Sequence, residues 1–297
     1  MIIDIHVHTA KKRHPKLTRP NGSHYPDPET LIGMMNDAGI DKAVVMCTVN
    51  PEFRYTIVTP EEVLDICRQY PDRLIPFCNI DPRYLTNSPQ ADFSSLLEAY
   101  KDLGCKGMGE CIPNLPFDHP LCMNLFTHVE KAGLPLTFHI GPQEGSCYGF
   151  IDDLGLPRLE KVLQAFPDLN FLAHSQPFWA EIGANRLDED GNRIPYPKGP
   201  VEPGRVVELM RRYPNLLGDL SAGSGFGAIS RDPAFGYAFM EEFQDRLFFG
   251  TDIANVPQDL PIAPYFRSLK EQRLISESAY EKITWRNANR LLSLGLE

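Results

Sequence analysis

Eight short runs rich in β-branched and aromatic residues recur along this chain, and most are followed by a longer amphipathic stretch. This alternation narrows the folds open to the chain more than any other feature. The runs are Ile2 to His8, Lys42 to Cys47, Leu74 to Ile80, Lys106 to Glu110, Leu136 to Ile140, Asn170 to His174, Leu216 to Leu220 and Leu247 to Thr251. Between them, apolar residues fall at helical spacing, as in Leu31, Met34, Met35 and Ala38, or Leu96, Leu97, Tyr100 and Leu103. Repeated strand-then-helix units describe parallel strands joined by crossover helices. The stops agree: Gly39, Gly104 and Gly133 can take the left-handed turn that ends a helix. At Tyr70-Pro71, Phe166-Pro167 and Tyr213-Pro214 a proline ends the helix instead.

Two α/β architectures use such units, an open doubly wound sheet and a closed (β/α)8 TIM barrel. Eight units, with no GxGxxG turn after the first run, favour the barrel. A chain of 297 residues accommodates one barrel, for which about 250 residues are typical, so residues 1–297 are expected to form a single domain. The last stretch, Ser276 to Leu294, reads as two short helices, with Arg286 to Leu294 packed on the barrel's outside. Two connections exceed the usual βα turn of about 2–6 residues: residues 9–27 and 175–204. Both leave C-terminal strand ends, the face on which barrel enzymes place their active sites.

The formal charge of −10 speaks against non-specific nucleic-acid binding, which calls for a basic surface. No stretch approaches the roughly 20 apolar residues of a membrane span, and no basic leader precedes an apolar run. Seven cysteines without a CxxC pair read as reduced thiols. A cytoplasmic enzyme is therefore expected, with a small molecule as its partner rather than nucleic acid or membrane, and a homo-oligomer is compatible with the sequence.

Chemistry concentrates at the ends of the runs. Asp4-Ile5-His6-Val7-His8 places two imidazoles two residues apart, and strand alternation sends both to one face. His139 and His174 end the fifth and sixth runs, and Asp252 follows the eighth. Singly, each has a plain structural role open to it, a satisfied core histidine or a helix-capping aspartate. In a closed barrel all five meet at one mouth, where imidazole and carboxylate donors suit zinc or a similar divalent cation.

The segments His6-Val7-His8, Phe138-His139-Ile140-Gly141, Leu172-Ala173-His174-Ser175 and Phe249-Gly250-Thr251-Asp252 together resemble the amidohydrolase superfamily. The match is best to its branch of amidohydrolase-related proteins, which includes the aminocarboxymuconate semialdehyde decarboxylase-like enzymes. The terminal Arg286-Asn287-Ala288-Asn289-Arg290-Leu291-Leu292 is similar to how that branch ends. The resemblance implies that His6, His8, His139 and Asp252 hold a buried metal, while His174 binds a second metal or polarises the substrate. Glu110 ends the strand on which binuclear members carry a bridging lysine or glutamate. It either bridges two cations or is a rim carboxylate paired with a loop arginine.

Two reactions follow. The first is hydrolysis of a C–O or C–N bond in a lactone, ester or amide by metal-activated water, with Asp252 carrying the proton and His174 stabilising the oxyanion. The second, on the same ligand set, is non-oxidative decarboxylation of an unsaturated or aromatic acid. Glu110 leans toward hydrolysis. The first long loop carries Lys11, Lys12, Arg13, Lys16 and Arg19, with His14 and His24 nearby: a solvated face, or a patch for a substrate carboxylate or phosphate. Trp179 is either a pocket wall or a packing residue. Asp188 to Asn192 reads as a turn, and Cys47, Cys111 and Cys147 are given no catalytic role.

Overall fold

A computed structural model of the chain describes all residues except 12–15, 17, 20, 54 and 55. Lys12, Arg13 and His14 of the basic loop thus lie outside the described residues. Eight parallel strands form the centre: β1 (Ile3–Val7), β2 (Lys42–Val45), β3 (Leu74–Pro76), β4 (Met108–Cys111), β5 (Leu136–His139), β6 (Phe171–His174), β7 (Leu216–Asp219) and β8 (Leu247–Phe248). Regular pairing runs β1-β2-β3 and β4 through β8. Two seams close the ring. Cys78 donates to the Gly107 carbonyl and Gly109 to that of Cys78, joining the third and fourth strands. Ile5 donates to Phe249, Asp252 to His6 and His8 to Ile253, joining the last strand to the first.

The helices around this barrel begin where the sequence supplies a cap. In α1 (Pro28–Ala38) the Asp27 carboxylate accepts from Thr30 N at 2.9 Å, Pro28 occupies the first position, and Gly39 ends the helix at φ 74°. The same start recurs in α2 (Pro60–Gln69), capped by Thr59. Then come α3 (Ser94–Asp102), α4 (Pro120–Ala132), ended by Gly133, and α5 (Pro157–Ala165). The connection after β6 is not a bare loop: it opens with α6 (Gln176–Ala180) before α7 (Arg205–Arg212). Beyond β7 lie α8 (Ala222–Ser230) and α9 (Pro233–Glu242). After β8 come α10 (Ile262–Glu271), α11 (Glu277–Glu281), a π-helical turn at Lys282–Arg286 and α12 (Asn287–Leu291). Among the described residues no helix is long and apolar enough to cross a membrane.

The placement expected for the C-terminal stretch needs correction. Ala288 and Leu292 do not lie on the barrel's flank. They join the cluster of Ile3, Ile5, Val44, Met46, Ile75, Phe77, Leu172, Leu217 and Phe248, which fills the barrel's interior. The chain's end is therefore the floor of the barrel, at the strands' N-terminal side. Flank helices usually bury an apolar stripe against the outer strand faces, but the short strands here leave the bottom of the interior open, and burial of Leu292 closes it.

Strand phase positions the site. Asp4 stands opposite Ala43 but Val7 opposite Val45, so three steps along β1 match two along β2. Met108 and Cys111 likewise oppose Leu136 and Phe138, with the intervening Gly109–Glu110 peptide cis. Each bulge inserts one residue. Ile3 and Ile5 consequently face the interior low in β1, Val7 packs outward with Ala43 and Val45, and His6 and His8 face inward above. In β4, Met108 and Cys111 both pack in the outer layer, so the two residues between them, Gly109 and Glu110, turn inward. The Asp4 carboxylate secures the first bulge, accepting from the backbone of His6 and Thr251, each at 3.0 Å, and from the Thr251 hydroxyl.

Candidate metal centre

All six residues singled out in the sequence meet at the C-terminal mouth. His139 and His174 are direct neighbours in the ladder, Cα opposite Cα. His6 Nε2 and His8 Nε2 lie 3.1 Å apart. Asp252 Oδ1 is 3.9 Å from the first and 3.5 Å from the second; Glu110 Oε2 is 3.8 and 3.6 Å from them. Bonds of about 2.1 Å from a tetrahedral cation to nitrogen and oxygen place the ligand atoms about 3.4 Å apart. The five separations scatter around that value, and the donor atoms of His6, His8 and Asp252 all lie within 4.8 Å of one another, as do those of Glu110, His139 and His174, so each set of three fits one divalent cation.

The other oxygen of Glu110 faces elsewhere. Its Oε1 lies 2.8 Å from His139 Nδ1 and 3.9 Å from His174 Nε2. The carboxylate therefore stands between two histidine groups, one oxygen toward each. The loop arginine that the sequence left open as a partner is not among its described contacts.

A seventh residue, missed in the sequence, supports two of the histidines. Asp219, fully buried at the end of β7, has Oδ2 2.7 Å from His6 Nδ1 and 3.5 Å from His174 Nδ1. A carboxylate on the far ring nitrogen orients a histidine ligand and raises its basicity. Ser221 Oγ does the same for His174 Nδ1 at 2.9 Å. The available signal was Asp219's place, one strand-end acid in register with the histidines. Two glycines leave room for this packing. A Cβ on Gly250 would lie 2.9 Å from Asp219 Oδ1, and one on Gly109 2.8 Å from Thr137 Cβ.

Charge follows from burial and neighbours. Burial opposes a proton on His6, but Asp219, Glu110 and Asp252 outweigh it and raise His6 to about 10. Burial and the His6 charge push His8 and His174 down to about 3, so both rings are neutral. Glu110, despite burial, is held below the usual carboxylate range by its bond to His139 and the nearby imidazoles. Burial raises Asp252 to about 7. Two neutral imidazoles, one displaceable proton, the buried carboxylates of Glu110 and Asp219 and the partly exposed one of Asp252 form a donor set for divalent cations.

Aromatic rings wall the mouth. His8 stacks on Tyr25 with centroids 5.0 Å apart, and Tyr25 on Phe53 at 5.9 Å. Tyr148 meets Phe53 edge-on at 5.4 Å and His139 at 5.1 Å. Arg19, from the basic loop, lies over Tyr25 at 5.6 Å and donates to the Ala254 carbonyl and to Asn255 Oδ1. Lys11 instead turns away to Asp65. Trp179 is a packing residue: its Nε1 donates to the Asp219 carbonyl at 2.9 Å while its ring covers Gly218. Cys47 and Cys111 are buried and their thiols pushed up by burial, which suits no nucleophile; Asp188 accepts from Asp190 and Asn192 in a plain turn.

A family model described as Amidohydrolase matches residues 3–294. Among solved structures, an uncharacterised TIM-barrel protein from Bordetella bronchiseptica is 19% identical, with a TM-score of 0.65 and 98% of each chain covered. A 5-carboxyvanillate decarboxylase from Novosphingobium aromaticivorans, complexed with manganese and a nitrobenzoic acid, is 15% identical at TM-score 0.61, covering 99% of this chain and 96% of that one. A probable 2-pyrone-4,6-dicarboxylic acid hydrolase from Acinetobacter baumannii, with citric acid bound, is 14% identical at TM-score 0.56, covering 98% and 99%. No curated protein matches the sequence.

Proposed function

The chain belongs to the amidohydrolase family and is an enzyme of that superfamily, and from that premise we propose that it hydrolyses a C–O or C–N bond in a small carboxylate-bearing molecule. His6, His8, Asp252 and Glu110 would hold one divalent cation, and Glu110, His139 and His174 a second. The observation that carries this reading is the Glu110 carboxylate, whose Oε2 faces His6 and His8 while Oε1 faces His139 and His174. Zinc suits the mixed imidazole and carboxylate donors. Bound there, the cations would supply Lewis-acid polarisation of the scissile group and lower the pKa of water toward neutrality.

The chain's own groups do the rest. Asp252, with its side chain 26% exposed and its carboxyl raised to about 7 by burial, can take a proton from attacking water and return it to the leaving group. His174, held through Nδ1 by Ser221 Oγ, has its Nε2 turned toward Glu110 Oε1, oriented as a ligand for the second cation. Tyr25, Phe53 and Tyr148 flank the mouth as flat apolar walls, and Arg19 supplies a cation for a substrate carboxylate.

Non-oxidative decarboxylation is the second reading, favoured by the likeness to 5-carboxyvanillate decarboxylase and by aromatic walls that suit a planar acid. One screen separates the two. Lactones, esters, amides and aromatic or unsaturated carboxylates are incubated with the metal-loaded protein in 18O-labelled water, with carbon dioxide measured in parallel. Label in the organic product supports hydrolysis, and release of carbon dioxide with no label in the organic product transfers the assignment to the lyase. Substituting Glu110→Gln should remove about one equivalent of metal, since a neutral amide bridges cations poorly. Unchanged stoichiometry would sink the bridge.

A further inference from the structure

We propose that Asn79 is a positioning residue for Glu110, holding the bulged end of β4 so that the carboxylate stands between the two histidine groups. The inference rests on reading Glu110 as a ligand, and it comes from the hydrogen bonds of the bulge. A bulge leaves backbone groups without ladder partners. Around Glu110 the backbone N–H is taken by the Cys47 carbonyl at 3.2 Å, but the Glu110 carbonyl accepts from a side chain, Asn79 Nδ2, at 2.6 Å. Two residues on, Ile112 N donates to another side chain, Asn50 Oδ1, at 3.0 Å. Two buried amides therefore do what a neighbouring strand does elsewhere in the barrel.

These amides are anchored in turn. Asn50 Nδ2 donates to Asp81 Oδ2 at 2.6 Å, and Asp81 is gripped by Arg83, which forms a forked pair with Glu52. An acceptor at Nδ2 and a donor at Oδ1 fix which way the Asn50 amide points. The chain of contacts thus runs from an ion pair at the rim, through Asp81 and Asn50, to the peptide that carries the candidate bridging ligand. Asn79 Nδ2 itself is 3.5 Å from both Asn50 Oδ1 and the Cys47 carbonyl.

Asn79 is 2% exposed, and its Oδ1 has no hydrogen-bond partner among the described residues. A buried acceptor left unsatisfied is costly, so packing alone gives no reason for an amide at this place. What the amide provides is a donor aimed at the carbonyl of Glu110.

The test is a double-mutant cycle read by manganese titration of the full chain, with the metal alone as probe. Because Glu110 would hold both cations, Asn79→Ala should weaken both equivalents by about tenfold or more, the one that Glu110→Gln retains included, the scale on which supporting contacts act on metal affinity. Asn79→Asp, of nearly the same shape but unable to donate when ionised, should do the same. In a Glu110→Gln background, adding Asn79→Ala should change the retained equivalent by less than about twofold, because the residue acts through Glu110. Asn215→Ala serves as the control for plain destabilisation, since among the described residues the Asn215 side chain donates only to the Leu163 and Phe166 carbonyls. It should lower the melting temperature and leave both metal constants in place. An equal loss from Asn79→Ala in both backgrounds, or none in either, overturns the proposal. A single equivalent in the unmodified protein would instead overturn the two-cation reading, and the same cycle on that one equivalent would still decide Asn79.

Discussion

Asp219 Oδ2 sits 2.7 Å from Nδ1 of His6, at the foot of the cluster and wholly out of contact with solvent. Nε2 of the same ring faces His8, so the aspartate fixes both the ring's tilt and its tautomer. Asp219→Asn keeps the shape of the contact and removes its charge. Metal affinity should fall by about 10–100-fold while the protein stays folded. Competition against a calibrated chelator measures this, and an affinity within twofold of the unmodified protein would show that Asp219 is only structural.

The metal-free site gives a pH dependence with a definite sign. His6 is raised to about 10, so between pH 7 and 9 it carries a proton that a cation must displace. Apparent metal affinity should therefore rise with pH, by about tenfold per unit over that range. Below pH 7 it should fall more steeply, as Asp252, raised to about 7, takes up a second proton. Calorimetric titrations in buffers of differing ionisation heat count the protons released. Uptake that releases none at pH 8 would contradict the charge assignment of His6.

Asp252→Asn separates coordination from proton transfer. The amide oxygen can still face the cation, but the basic carboxylate is gone. On the hydrolytic reading, kcat should drop by roughly 10²–10⁴-fold with a much smaller change in KM. Near-normal turnover by a variant that retains its metal would remove Asp252 from the chemistry.

The floor of the barrel makes a prediction of a different kind. Leu292 is 2% exposed and packs against the interior cluster at the chain's end. Leu292→Ala should cost about 2–5 kcal/mol of stability, the range for truncating a buried leucine. Denaturant unfolding measures it, and metal affinity should not change in the folded variant. A loss under 0.5 kcal/mol, or roughly the effect of a surface substitution, would mean the C-terminal segment is dispensable as a floor.

Features written in local sequence were readable before the structure. The eight strands, the turns at Gly39 and Gly133 and the convergence of His6, His8, His139, His174 and Asp252 depend on periodicity and on strand ends. Features set by a partner strand were not. The bulges in β1 and β4 exist only relative to the strands beside them, and they decide that Glu110 faces inward. The helix α8, Ala-Gly-Ser-Gly-Phe-Gly-Ala-Ile-Ser, carries three glycines and no strong local preference; packing on α6 and α9 forms it. Asp219 was overlooked because a lone strand-end aspartate carries no motif of its own, and Leu292 because its burial comes from the gap it fills.

The paired bulges divide the barrel into two compartments that answer to different demands. Under a strict two-residue repeat, the face that shows Ile3 and Ile5 at the bottom of β1 would go on to show Val7, and His6 and His8 would point at the helices. One additional residue resets the strand, so an oily base and a polar crown coexist on one ribbon. Deleting a single residue from Asp4 to His6, or from Gly109 to Glu110, would be expected to erase the crown with hardly any change in composition. The base could meanwhile be rebuilt with other hydrophobes of similar volume without turning any donor atom away from the mouth.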